Sequence, residues 1–213
     1  LLEFRTQNGD GTKTDYWKMD MPHAPYLVMV AAGDFDTTST RWNGKLVRYY
    51  VEPKWKTSAV DIFEHTPEML TLFSDLLNVP YPWQKYDQIV VRDYVSGAME
   101  NTTAVVHGTG VYRDERSLAD ATSEDVIAHE LFHHWFGNLV TCESWSNLAL
   151  NEAFATYGEY LWMAHKYGQE AADYHLNQDL KHYLSEAVTK QDAIIRFYYD
   201  DTEHLFDRHS YQK

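Results

Sequence analysis

The chain is poor in cysteine, in long apolar runs and in positive charge. Its single cysteine, Cys142, cannot form an intrachain disulfide. No apolar run reaches the roughly eighteen residues of a membrane span, so the sequence predicts no transmembrane helix. Lysine and arginine number 18 against 32 acidic residues, giving a formal net charge of −14. This balance argues against binding to nucleic acid or to an anionic membrane surface.

The length of 213 residues allows one substantial core and at most part of a second domain. The sequence starts with Leu-Leu-Glu rather than with methionine. We therefore expect an internal piece of a longer protein whose flanking domains act as partners of this segment. The compartment stays open between cytoplasmic and extracytoplasmic for a soluble protein.

Two histidines and two glutamates form the most informative pattern. His129 and His133 are four residues apart, with Glu130 between them, and Glu152 follows after eighteen intervening residues. On a helix, the two imidazoles would project from one face. Zn²⁺ favours such ligands, and Glu152 would supply a third from a second helix. Three protein ligands leave one position open, which is typical of a catalytic zinc site that binds one ion per chain.

The surrounding sequence supports two helices, of which the first should be buried. The first follows capping residues at 122–125, is apolar on nearly all sides, and is predicted to stop at Gly137-Asn138. The second is predicted to start with Asn151 as its N-cap and to end at Gly168. Two histidines in such a helix are costly unless a metal or hydrogen bonds pair them, and core histidines are the alternative interpretation.

Glu159 lies seven residues after Glu152, about two turns along the same helix face. Metal-bound histidines usually donate their free ring N–H to a carboxylate, and Glu159 is the candidate for that role. A solvated surface glutamate is the alternative. His134 should point about 100° away from His133, so we do not expect it to reach the same metal.

Three separated segments together resemble the aminopeptidase N-like zinc metallopeptidases, in particular their bacterial-type branch. Residues 97–101 (GAMEN) match the family's exopeptidase motif, and residues 129–141 with 151–155 match its zinc motif. Residues 206–207 with 210–213 resemble the segment that carries the family's catalytic tyrosine. This resemblance implies an α+β fold with a thermolysin-like zinc peptidase catalytic domain, built from a small mixed sheet and helices.

The resemblance also implies roles for individual residues. Glu100 would anchor the free α-amino group of a peptide, and the backbone around Gly97 and Ala98 would pair with the substrate like an added strand. Glu130 would act as the general base, and Tyr211 would stabilise the oxyanion. Glu100 on a surface turn and Tyr211 as a packing residue are the alternatives.

The sequence departs from the family pattern at two positions next to the zinc motif. Ala149 stands where tryptophan is common, and Ala153 replaces the usual glycine. Both are small and compatible with a helix, so the ligand set is unaffected. The family's further amine-binding residue belongs to its N-terminal domain and is not expected within this chain.

Residues 1–50 are predicted to be the C-terminal part of an all-β domain, and residues 51–213 a catalytic domain truncated at its C-terminal end. Strands are predicted at 26–30, 46–50, 86–91 and 104–107. One helix should start with Thr66 as its cap and Pro67 at the first position, and another should cover 169–188. The remaining histidines are expected at the surface or in hydrogen bonds: His23, His65, His107, His165, His175, His182, His204 and His209.

The sequence thus predicts a zinc-dependent aminopeptidase that hydrolyses the N-terminal peptide bond of peptides through a metal-activated water. A zinc endopeptidase with the same site is the nearest alternative. A bifunctional epoxide hydrolase–aminopeptidase and a non-catalytic peptide-binding relative remain open. An acidic cleft would favour cationic N-termini, although a generally acidic surface explains the charge equally well.

Overall fold

A five-stranded mixed sheet forms one side of the computed structural model, which describes residues 1–213. Its strands are β3 (Asp36–Trp42), β4 (Lys45–Val51), β5 (Lys85–Val91), β6 (Ala98–Met99) and β7 (Ala104–Gly108), in the order β3-β4-β5-β7-β6. β5 is parallel to β4 and β7, whereas both edge strands pair antiparallel. A separate exposed hairpin joins β1 (Leu2–Gln7) to β2 (Lys13–Trp17).

Seven helices accompany the sheet. They are α1 (Lys56–Ile62), α2 (Thr66–Leu77), α3 (Glu115–Leu118), α4 (Glu124–Phe132), α5 (Ala149–Tyr167), α6 (Gln169–Ala187) and α7 (Arg208–Tyr211). No helix is both long enough and apolar enough to cross a membrane. The α+β class and the mixed sheet with helices are confirmed.

The sheet sequence explains why its centre is buried. β4 alternates, with Val47, Tyr49 and Val51 facing the core. β5 is buried along nearly all of its length, as expected for a strand with parallel neighbours on both sides. Arg48 and Asp87 form a bidentate ion pair across β4 and β5, with N–O distances of 2.9 and 2.7 Å.

The packing of α4 against α5 brings the two halves of the zinc motif together. Leu131 and Phe132 of α4 and Trp162 of α5 belong to one buried apolar cluster. Gly158 of α5 allows this close approach, because a Cβ there would lie 2.6 Å from the Phe132 ring. The helices can therefore face each other at the position where the ligand residues project.

Predicted strands at 46–50, 86–91 and 104–107 are confirmed, as is the helix at 169–188, each within about a residue. The predicted strand at 26–30 is wrong. Pro25 initiates a short 3₁₀ turn, Pro25–Leu27, and beyond it Val28 and Val30 are exposed without a partner strand.

Three predicted helix ends are also wrong. Asn151 lies inside α5 rather than at its start, because its side chain bonds the Cys142 N–H and the Tyr26 hydroxyl instead of capping. Thr66 is the first residue of α2, and its hydroxyl accepts from Gln88. α4 ends at Phe132, about one turn before Gly137.

The division of the chain at residue 50 stays a prediction. Strands β3 and β4 precede that position almost entirely, yet β4 pairs directly with β5. The sheet is therefore continuous across residue 50, whereas β1 and β2 pair only with each other.

Candidate metal centre

His129, His133 and Glu152 converge where α4 meets α5. One carboxylate oxygen, Glu152 Oε2, lies 3.4 Å from His129 Nε2 and 3.4 Å from His133 Nε2. Potential ligand atoms of all three residues lie within 4.8 Å of one another. The structure therefore brings together the three groups that the sequence predicted as ligands.

These separations fit a zinc ion. Ligands bound at about 2.0–2.1 Å in a tetrahedral arrangement are separated by about 3.3–3.4 Å. The distances from Glu152 to both imidazoles match that edge length. Two neutral imidazole nitrogens and one carboxylate are also a donor set that zinc accepts. The residues present therefore fit the metal.

Both imidazoles are oriented by hydrogen bonds on their other nitrogen. His129 Nδ1 lies 2.7 Å from Glu159 Oε1, and His133 Nδ1 lies 3.0 Å from the carbonyl oxygen of Phe136. A proton on each Nδ1 satisfies these acceptors and leaves each Nε2 with a free lone pair. Gly137, with φ of +125°, lets the backbone close over His133, since a Cβ there would lie 3.2 Å from Nδ1.

A third histidine that the sequence did not single out completes the surroundings of Glu159. His175 Nε2 of α6 lies 2.9 Å from Glu159 Oε2, so each oxygen of this carboxylate faces one imidazole. His175 also lies 3.7 Å from Asp179, which accepts from Gln212. Because α6 meets α5 only in the folded chain, sequence spacing gave no signal for this contact.

Burial and opposite charge shift the pKa values of these protein groups. Burial lowers the pKa of His133, but Glu100 and Glu152 outweigh it and raise that pKa to about 9, so a metal that binds Nε2 displaces a proton from it. Burial raises the pKa of Glu152, yet His133 and His129 hold it well below its usual range. The carboxylate of Glu152 is therefore ionised, as a ligand must be.

Glu130 lies beside the three residues with an unsatisfied carboxylate. Its Oε2 is buried and has no hydrogen-bond partner. Burial raises the pKa of Glu130 to about 8, against the effect of His129 and His133. A buried carboxylate oxygen without a partner, next to a metal-ligand set, is positioned to exchange a proton with a molecule in the site.

Glu100 approaches the same point from the sheet. Ligand atoms of Glu100, Glu130 and His133 lie within 4.8 Å of one another. Glu100 follows β6, and its carbonyl accepts from Asn138 Nδ2 at 2.9 Å. The buried position excludes the alternative of a surface turn.

Gly97 and Ala98 lie at the edge of the sheet. Ala98 pairs with His107, and the Gly97 carbonyl accepts from the Gly108 N–H at 2.9 Å. β6 is the last strand on that side, so its other edge has no strand neighbour. Such an edge can accept an extended peptide as an added strand.

His134 links the loop after Glu100 to α4, although it does not reach the metal ligands. Its Nε2 accepts from the Thr103 N–H at 3.0 Å, and its Nδ1 donates to the Glu130 carbonyl at 3.1 Å. Thr103 has φ of +66°, an unusual value for a β-branched residue. The motif that carries Glu100 is therefore attached to the helix that carries Glu130.

Tyr211 reaches the site from α7. Its ring stacks on that of His129, with centroids 6.0 Å apart and an interplanar angle of 17°. Burial raises the pKa of the Tyr211 hydroxyl well above 10, and the negative charges of Glu152 and Glu130 raise it further. The hydroxyl thus stays protonated and can donate a hydrogen bond.

Sequence comparisons agree with this geometry. A model of the Peptidase family M1 domain matches residues 62–213. Aminopeptidase M1-A of Oryza sativa subsp. japonica is 40% identical over 154 residues, which are 70% of this chain and 18% of that protein. Glutamyl aminopeptidase of Sus scrofa is 36% identical over 159 residues, 72% of this chain and 17% of that protein. The chain thus spans less than a fifth of these relatives.

The fold is similar to that of a solved enzyme. The crystal structure of an M1 zinc metallopeptidase mutant from Deinococcus radiodurans covers this chain completely with a TM-score of 0.77. The chain covers 46% of that structure at 22% sequence identity. The shared architecture includes the sheet and the helices that position the candidate site.

Proposed function

Because the chain belongs to peptidase family M1, we propose that the protein is a zinc-dependent aminopeptidase that hydrolyses the N-terminal bond of peptides. One observation carries this proposal. The buried carboxylate of Glu100 lies beside Glu130 and His133, so a group that recognises an ammonium adjoins a metal-ligand set.

His129, His133 and Glu152 would hold one zinc ion, with Glu159 orienting His129. When bound, zinc supplies Lewis acidity that polarises the scissile carbonyl and lowers the pKa of water. Glu130 takes the proton of the attacking water and delivers it to the leaving amine. The Tyr211 hydroxyl donates a hydrogen bond to the oxyanion that develops on the carbonyl oxygen.

Substrate orientation depends on the sheet edge. The backbone at Gly97 and Ala98 pairs with the extended peptide, and Glu100 accepts a charge-assisted hydrogen bond from its α-ammonium. Such a bond contributes about 1.5–3 kcal/mol, which an internal amide cannot match. Because Glu100 lies close to Glu130, an ammonium bound at Glu100 would place the carbonyl of the first residue near Glu130, and cleavage would occur after that residue.

We also propose that the segment ahead of the catalytic domain is the end of a β-domain. The exposed hairpin of β1 and β2, which pairs with no strand of the larger sheet, supports this. The pairing of β3 and β4 with β5 favours a border before Asp36 rather than at residue 50.

A pair of substrates tests the proposal. The rate of cleavage of an aminoacyl-arylamide should far exceed that of its N-acetylated twin, and Glu100→Gln should reduce this difference by about 10- to 100-fold. The exposed Glu143→Gln serves as a control and should leave the ratio unchanged. Equal cleavage of both substrates would favour the endopeptidase.

A further inference from the structure

The Arg196 side chain makes several hydrogen bonds to the segment that carries Tyr211. Its guanidinium binds both carboxylate oxygens of Asp207, with Nη1–Oδ2 at 2.5 Å and Nη2–Oδ1 at 3.0 Å. Nη2 also donates to Ser210 Oγ at 2.5 Å and to the Leu205 carbonyl at 3.1 Å. We name Arg196, Asp207 and Ser210 the arginine clamp.

Asp207 connects the clamp to α7. Its Oδ1 accepts from the backbone N–H groups of His209 and Ser210, each at 3.1 Å, and so caps the helix. Although burial opposes ionisation, Arg196 and Lys190 lower the pKa of Asp207 to about 2. Asp207 is therefore ionised at neutral pH, and its charge binds Arg196 and the helix start together.

Arg196 also contacts the loop that precedes the helix carrying Glu152. The backbone N–H of Arg196 donates to the Ser146 carbonyl at 3.1 Å. Ser146 precedes the start of α5 by only a few residues, and Glu152 lies in the first turn of that helix. One residue thus joins the loop before α5 to the cap of α7.

Helix α7 is short, and contacts from α6 support it besides the clamp: His209 Nδ1 lies 3.2 Å from Glu186 Oε1, and Gln212 donates to Asp179. Four residues are far too few for a helix that is stable by itself. Leu205 just before the helix is buried, whereas Phe197 is 71% exposed and Phe206 is 47% exposed. Polar contacts, with the clamp at the cap among them, therefore contribute to the orientation of the helix.

We propose that Arg196, acting through Asp207, is a positioning residue that holds the Tyr211 hydroxyl toward the metal centre. The inference rests on the role of Tyr211 in the proposed function. Arg196 itself touches neither the ligand residues nor Tyr211 through any hydrogen bond, so its effect on turnover must pass through α7.

The test compares Arg196→Lys with Arg48→Lys. Arg48 forms a similar bidentate pair with Asp87 within the sheet, so both variants replace a planar fork by a single ammonium. Arg196→Lys should lower kcat by about 10- to 100-fold with KM unchanged, because small misplacements of a catalytic group have effects of this size. Arg48→Lys should leave kcat unchanged, and zinc titration of both metal-free variants should match the parent.

A double variant separates positioning from general destabilisation. In the Tyr211→Phe background, Arg196→Lys should cause no further loss of kcat, because the hydroxyl it positions is gone. An equal loss in both backgrounds would overturn the proposal, as would an unchanged kcat in Arg196→Lys. If Tyr211→Phe alone keeps full kcat, the assigned role of Tyr211 fails first, and that result is visible without any Arg196 variant.

Discussion

The two sides of the site are held in different ways. The candidate metal ligands come from α4 and α5, which pack through large buried side chains such as Phe132 and Trp162. Tyr211 projects from the short helix α7, which charged groups hold in place at its cap. Apolar packing tolerates little change in volume, whereas a polar clamp depends on the geometry of a few atoms. Changes to the packing or the ligand support on the first side should therefore reduce stability or metal affinity, whereas changes to the clamp on the second side should reduce turnover.

The largest expected effect separates metal binding from chemistry within the packed side. Glu130→Gln should lower kcat by about 10²–10⁴-fold, because it removes the general base while retaining a similar shape. Zinc affinity, measured by competition with a chelator, should stay at the level of the parent. Full activity in this variant would show that Glu130 is not the base.

A smaller effect is expected when Glu159 is changed. Glu159→Gln should weaken zinc binding by about 10- to 100-fold, because the amide supports the His129 imidazole less well. Glu170→Gln, at an exposed position in the first turn of α6, is the matched control and should bind zinc normally. Unchanged affinity in Glu159→Gln would mean that Glu159 does not support the ligand.

Packing between the helices gives the next prediction. Gly158→Ala should decrease the free energy of unfolding by about 1–3 kcal/mol, because the new methyl group overlaps Phe132. Gly110→Ala, where no atom lies within 4 Å of the new Cβ, should change it little. Denaturant unfolding of the two variants measures the difference. Equal stability would show that α4 and α5 can separate at no cost.

The smallest predicted effect is the loss of folding stability at acidic pH. Burial lowers the pKa of His107 to about 3, below the roughly 6.5 of the unfolded chain. The folded protein therefore binds fewer protons, and the stability that neutral His107 provides is lost as pH falls from 6.5 toward 3. Asp207, with its pKa lowered to about 2, loses its contribution only as pH falls below about 3.8.

His107→Asn should thus reduce the decline in unfolding free energy between pH 6.5 and 5.5 by about 1 kcal/mol. Asp207→Asn should not change the decline within that range. Unfolding curves at both pH values supply the measurement. Parallel declines in the parent and the His107 variant would contradict the assignment.

The sequence predicted most of what depends on local spacing. The pair His129 and His133 and the support from Glu159 follow from helical periodicity, whereas Glu130 and Glu152 follow from the zinc motif. The structure brings these side chains together. The strand at 26–30 failed because a run of apolar residues does not reveal whether a partner strand exists. The cap at Asn151 failed because that side chain bonds distant groups instead.

The contacts of two other residues could not be predicted from the sequence for a related reason. His175 and Arg196 act across pairs of elements that meet only in the folded chain. Each residue has an acidic partner four positions away, Asp179 and Asp192, a spacing that is common among surface charges, so the sequence did not single out either residue. Their contacts depend on the relative positions of α5, α6 and α7.

Thr103 shows how the Glu100 loop is kept in place. A left-handed backbone in a β-branched residue stores about 1–3 kcal/mol of strain. The His134 imidazole and the Lys85 ammonium, which binds the Thr103 carbonyl at 2.8 Å, hold that conformation from two directions. A glycine at this position would adopt the same turn without strain, but the loop would then be more mobile. These two hydrogen bonds offset the strain at Thr103, and the loop that carries Glu100 is thereby held in one conformation.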